Sequence, residues 1–96
     1  MRIYFKYQVV IITGASSGIG KLTAITLSQL GAKVVLAARN ESKLEEIKTQ
    51  ILSEGNQAIA IKSDVSKIED NENLINSVLK EWGKIDIFIA NAGQYI

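Results

Sequence analysis

Residues 9–20 of the chain read Val-Val-Ile-Ile-Thr-Gly-Ala-Ser-Ser-Gly-Ile-Gly. An unbroken apolar run passes into a loop with glycines at 14, 18 and 20, and a helical pattern follows. Few folds accept that order. Small residues let the backbone approach phosphate oxygens, and a helix opening near Ile19 and Gly20 would aim free N–H groups and the positive end of its dipole at them. Gly20 would also let that helix pack close to a sheet. The loop reads as a grip for a dinucleotide pyrophosphate. A tight strand-to-helix turn with no ligand would use the same glycines, so the rest of the chain has to decide between the two.

Four apolar runs read as strands buried on both faces: Val9–Thr13, Lys33–Ala38, 58–61 and 85–90. Runs without alternation are the mark of a parallel sheet covered by helices on both sides. Three helical patterns lie between them. The first, 20–30, carries Leu22, Ile25, Thr26 and Leu30. The second, 41–54, carries Leu44, Ile47 and Ile51, with Asn40 as N-cap. The third, 67–82, carries Ile68, Leu74, Ile75, Val78, Leu79 and Trp82. Ser66-Lys67-Ile68-Glu69 fits a capping box at its start. Gly31, Gly55 and Gly83 each follow a helical pattern, where a left-handed residue ends a helix. With no proline and no linker-like stretch, residues 1–96 read as one dinucleotide-binding part of a single domain. The βαβαβαβ alternation predicts an α/β, Rossmann-like, doubly wound parallel sheet with strand order 3-2-1-4.

Composition removes several kinds of chemistry. The chain has no cysteine and no histidine, which excludes disulfides, thiol nucleophiles, imidazole bases and the usual zinc ligands. No acidic cluster has the spacing of a cation-binding loop, so no metal is expected. A net charge of +1 gives no field for nucleic acid or an anionic membrane. Arg2 and Lys6 precede the first apolar run, but only residues 9–12 are continuously apolar, too few for a signal peptide or a membrane span. A cytoplasmic location is expected.

The glycine spacing separates the possible nucleotide loops. Gly-x-Gly-x-x-Gly fails because residue 16 is serine. The Gly-x-x-x-x-Gly-Lys-Ser/Thr loop of nucleoside triphosphatases fails because residue 15 is alanine and Leu22 stands where a hydroxyl is needed. Gly-x-x-Gly-x-x-Gly, the commoner form in nucleotide-sugar epimerases, fails at Ser17. What remains, Thr13-Gly14-Ala15-Ser16-Ser17-Gly18-Ile19-Gly20, resembles the cofactor loop of the short-chain dehydrogenase/reductase family. Asp64-Val65 after the third strand resembles that family's adenine-contacting pair, and Asn91-Ala92-Gly93 after the fourth resembles its Asn-Ala-Gly motif. The resemblance runs the length of the chain. It implies a cofactor site made of Gly14, Ser16, Ser17, Gly18, Ile19, Gly20, Arg39, Asp64, Val65, Asn91, Ala92 and Gly93. In it Asp64 takes the adenine amino group, unless it serves only in capping beside Ser66. Asn91 is structural first and a ligand contact second.

The end of the second strand selects the cofactor. An acid there would bond both ribose hydroxyls and favour NAD(H). This chain has Ala38 and then Arg39. A guanidinium forks onto a 2′-phosphate and stacks on adenine, and the Ser16 hydroxyl can join it, so NADP(H) is preferred over NAD(H). The competing role for Arg39 is a solvated strand end. Asp86 reads as a turn residue, Glu45, Glu46 and Lys48 as a solvated helix face, and Tyr4, Phe5 and Tyr7 as edge or surface packing.

The resemblance also implies hydride transfer between the nicotinamide and an alcohol or carbonyl, with a serine and a Tyr-x-x-x-Lys pair as the catalytic group. The 96 residues contain no Tyr-x-x-x-Lys: Tyr4 is followed four residues later by Gln8 and Tyr7 by Ile11. No catalytic residue is therefore assigned. The chain is expected to be the cofactor-binding portion of a longer oxidoreductase, inactive alone, and a homo-oligomer only in its longer form. Ile85, Ile87, Phe88 and Ile89 are expected to be partly bare. The alternative is a non-catalytic nucleotide-binding or assembly module.

Overall fold

The computed structural model describes residues 5–91. Strands and helices alternate as β1 (Val9–Thr13), α1 (Gly18–Gln29), β2 (Lys33–Ala38), α2 (Glu41–Ser53), β3 (Gln57–Lys62), α3 (Ile68–Trp82) and β4 (Ile87–Ile89). The strands form one sheet in the order β3-β2-β1-β4, with every pairing parallel. The expected architecture and strand order are those observed.

The faces of the sheet are set by the two-residue period of its strands. Val10 and Ile12 of β1 and Val34, Leu36 and Ala38 of β2 meet Ala24 of α1 and Leu44, Ile47 and Ile51 of α2. Val9, Ile11, Val35 and Ala37 point the other way, onto Leu74 and Val78 of α3. Burial on both faces holds for β1 throughout and for β2 after Lys33. It does not hold for the outer strands. β3 is mostly half-buried, and β4 leaves Phe88 45% exposed between half-buried Ile87 and Ile89. On one face α3 packs alone among the described helices, and a single helix cannot cover both margins of a four-stranded sheet.

β4 is also shorter than the expected 85–90, because side chains replace the ladder at both its ends. The Val9 amide donates to Asp86 Oδ2 at 2.7 Å while the Asp86 amide donates to the Val9 carbonyl at 2.9 Å. Beyond Ile89, the Asn91 amide donates to Thr13 Oγ1 at 2.9 Å. Asp86, expected to be a simple turn residue, thus clamps two strands.

α1 buries a different face from the one expected. Gly20, Ala24 and Ser28 are its buried residues, while Leu22 is 65% exposed and Thr26 is exposed. The helix runs so close to the sheet that a Cβ on Gly20 would collide with the Gly14 carbonyl oxygen and come within 2.6 Å of Asn91 Nδ2. Only small side chains fit at that distance, and Ser28 is accommodated because its hydroxyl donates to the Ile25 carbonyl at 2.7 Å. On α3, Leu74 and Val78 are buried as expected, but Ile68 is 76% exposed and Leu79 44%.

Helix ends follow local chemistry. Asn40 caps α2, its Oδ1 accepting from the Lys43 amide at 3.2 Å. The capping box expected at α3 does not form: Lys67 is the N-cap residue and makes no side-chain cap. Ser66 is diverted, its amide and hydroxyl both donating to Asp64 Oδ1 at 3.0 and 2.7 Å. A carboxylate two residues upstream outcompetes the helix for that hydroxyl. Lys48 pairs with Glu45 on the exposed face of α2 at 3.2 Å. Phe5 packs half-buried against the α1/α2 core, Tyr7 is 64% exposed, and Tyr4 lies outside the described residues.

Candidate cofactor site

The loop from Gly14 to Ser17 leaves the carboxyl end of β1. Gly14 at φ 65° and Gly18 at φ 60° take the left-handed turns that the path requires. The Ala15 amide donates to the Ala37 carbonyl at 3.2 Å, tying the loop to β2. From the other side, Asn91 Nδ2 donates to the Gly14 carbonyl at 3.2 Å. Together with the Asn91 amide on Thr13 Oγ1, this fixes the loop between its two neighbouring strand ends. Asn91 therefore has the structural role expected of it.

The start of α1 is the chemically open part. Ser17 is its N-cap residue and makes no side-chain cap, and the first turn carries no acid. The first backbone bond into the helix is from the Lys21 amide to the Ser17 carbonyl at 3.4 Å. The amides ahead of it keep their donors and the dipole its positive end. A Cβ on Gly18 would meet nothing within 4 Å, so the space beside that residue is open. Ser17, Gly18 and Ile19 are exposed there and Ser16 is half-buried, whereas Gly20 is buried beneath the loop. An uncapped amide cluster facing open space fits a pyrophosphate.

The other predicted residues gather at the same edge. Ala38 closes β2 in the core and Arg39 follows it, exposed. The Ser63 amide donates to the Ala38 carbonyl at 2.9 Å, holding the end of β3 beside it. Asp64 follows, its own amide held by Asp70 Oδ2 at 2.8 Å. The Ser66 hydroxyl and amide, helped by the charges of Arg39 and Lys67, hold the Asp64 carboxyl below its ordinary value. One carboxylate oxygen serves that local turn and not a cap of α3, which the capping alternative expected, while Oδ2 accepts no hydrogen bond among the described residues. Val65 beside it is 37% exposed. Ala92 and Gly93 lie outside the described residues. The loops after β1 and β4 meet where the strand order reverses, the place where open α/β sheets take ligands.

Two contributors escaped the sequence reading: Thr13 as a hydroxyl latch and Asp86 as a strand clamp. Their partners are 78 and 77 residues away, and no local signal marks such pairs. Among the described residues no group of His, Cys, Asp or Glu could hold a metal ion. No helix among the described residues is long and apolar enough to cross a membrane.

The sequence profile of the short chain dehydrogenase family matches residues 8–96. The chain belongs to that family. An oxidoreductase of Listeria monocytogenes, Lmo0432, is 51% identical over 88 residues, which are 92% of this chain and 36% of that protein. The chain thus spans about a third of the length of the relative it matches. Among solved structures, a metagenomic short-chain oxidoreductase in complex with NADP superposes with a TM-score of 0.88 at 37% identity, covering 94% of this chain and 41% of that one. A short chain dehydrogenase/reductase from Burkholderia phymatum in complex with NAD gives a TM-score of 0.85 at 32% identity, covering 88% and 30%. This family member therefore has solved neighbours with either dinucleotide.

Proposed function

We propose that this chain is the NADP(H)-binding part of an oxidoreductase that interconverts an alcohol and a carbonyl. The observation that carries the reading is the uncapped start of α1 behind an open glycine loop, with Arg39, and no acid, at the end of β2. Gly14, Ser17, Gly18, Ile19 and Gly20 hold the pyrophosphate. Arg39 and the Ser16 hydroxyl take the 2′-phosphate, Asp64 Oδ2 and Val65 the adenine edge. Asn91 positions the loop, and Ala92 and Gly93 continue toward the nicotinamide ribose. When bound, the cofactor supplies or accepts the hydride. The 96 residues contain no Tyr-x-x-x-Lys to move the accompanying proton, so they bind without turning over. The longer protein would bring the substrate pocket and the homo-oligomer contacts, and its place is the cytoplasm.

Calorimetric titration of the chain with NADP+ and NAD+ tests this. Charge-assisted bonds contribute roughly 1.5–3 kcal/mol each, so two from Arg39 correspond to a preference for NADP+ on the order of a hundredfold. Arg39→Ala should remove most of that preference and leave NAD+ binding unchanged. Equal affinity of the two cofactors for the unmodified chain would defeat the choice of NADP(H). Hydride transfer by the 96 residues alone would defeat the separation of binding from chemistry. Tight dinucleotide binding by a longer form that reduces no carbonyl would favour the non-catalytic module instead.

A further inference from the structure

We infer that Lys62, the last residue of β3, is a second cation for the cofactor's 2′-phosphate and sets dinucleotide specificity together with Arg39. The inference rests on the NADP(H) reading above.

Register places it. Ala38 and Lys62 are Cα partners in the parallel pairing of β2 with β3, so Lys62 stands one strand spacing, about 4.8 Å, from the residue that precedes Arg39. The pairing is held at that point by the Ser63 amide on the Ala38 carbonyl at 2.9 Å. Paired residues of parallel strands share a face. Ala38, Ala58 and Ala60 belong to the core under α1 and α2, while Ile59 and Ile61 face α3. Lys62 continues the Ala58–Ala60 series and projects on the α2 side of the sheet. That is the side on which the chain leaves Arg39 and enters α2 through Asn40.

Lys62 and Arg39 are both exposed, and neither forms an ion pair among the described residues, whose ion pairs are Lys48 with Glu45 and Lys84 with Asp86. Two acids lie nearby. Glu41 stands in the first turn of α2, and Asp64 has one oxygen committed to Ser66. A ribose 2′-phosphate over the end of β2 would have Arg39 on its own strand and Lys62 reaching across from the neighbouring one. The fork supplies directed hydrogen bonds, and the ammonium adds a mobile point charge. Lysine also suits an exposed edge strand, which it keeps from pairing with other chains. That duty requires a charge but no ligand, so the two roles separate experimentally.

The test is calorimetric titration of the chain and of Lys62→Gln and Lys62→Arg with NADP+ and NAD+ at several salt concentrations. Lys62→Gln should weaken NADP+ binding about tenfold, with a shallower salt dependence, and leave NAD+ binding unchanged. Lys62→Arg should restore most of the loss. Unfolding of the apo chain should not change, since the side chain is exposed. If the unmodified chain prefers NADP+ and Lys62→Gln binds it equally well, the inference fails and the Arg39 reading stands. If the unmodified chain shows no preference, both fail. A loss by Lys62→Gln that is equal for NADP+ and NAD+ also overturns the role at the 2′-phosphate.

Discussion

Asp86 shows how a single side chain can work as a backbone group. Its Oδ2 accepts from the Val9 amide and the Lys84 ammonium at 2.7 and 2.9 Å, which supplies β1 with an acceptor that β4 begins too late to provide. The Val9 amide first, and then Lys84, hold the carboxyl below its ordinary value of 3.8, against a smaller opposing effect of burial. A group whose folded-state pKa is depressed adds stability that is complete above its unfolded value and is lost as pH falls through the folded value. The chain should therefore lose stability from about pH 5 downward, and Asp86→Asn should flatten that decline while lowering stability at neutral pH. Asp64, depressed chiefly by Ser66, contributes to the same window, so the flattening should be partial. Urea unfolding at a series of pH values measures it. Parallel curves for the two proteins would remove Asp86 from the account. The sequence marked Asp86 as polar at a strand start, but its partner is 77 positions away, and distance in sequence hides a clamp of this kind.

At the scale of elements, positions were easier to read than faces. Glycines after each helical pattern and unbroken apolar runs located all seven elements to within two residues at every end, because backbone conformation leaves a local mark. The buried face of α1 was misread because a period argument selects the largest apolar residues, whereas a helix pressed against a glycine loop selects the smallest. The capping box failed at α3 because Asp64 reached Ser66 first. The bare N-terminus of α1 is the element on which the proposed function turns, since a side-chain cap would take one of the donors left for phosphate. Ser17→Asp should therefore stabilise the apo chain by about 0.5–1 kcal/mol, through a better cap and a charge at the positive end of the dipole. It should also weaken dinucleotide binding at least tenfold, because the carboxylate would occupy the amides and repel the pyrophosphate. Denaturant unfolding without ligand and calorimetry with it give the two numbers. A variant that gains stability and still binds as tightly would mean that the phosphates sit elsewhere.

The sheet order of the whole molecule was legible because right-handed crossovers leave little choice once βα units alternate, and the apolar runs announced a sheet covered by helices. What the runs could not convey is that coverage is uneven. β1 and β2 are sealed, yet on the α3 side of the sheet Phe88, partnered in register with the fully buried Ile11, stays 45% exposed. α3 itself leaves Ile68 and Leu79 exposed. A sheet margin with bare aromatic surface and unpaired backbone groups invites contact with another chain. Burying a phenylalanine side chain contributes about 1.5–3 kcal/mol, and Phe88 has close to half of that still to gain. The chain should accordingly self-associate with rising concentration, and Phe88→Lys should weaken that association about fivefold to tenfold without loss of fold. Sedimentation velocity over a concentration series measures the association, and circular dichroism checks the fold. Dinucleotide binding should be unaffected, since Phe88 lies on the α3 face and the glycine loop at the strand ends. If Phe88→Lys associates as strongly as the unmodified chain, the contact lies on another surface, and exposed Ile68 and Leu79 of α3 become the next positions to charge.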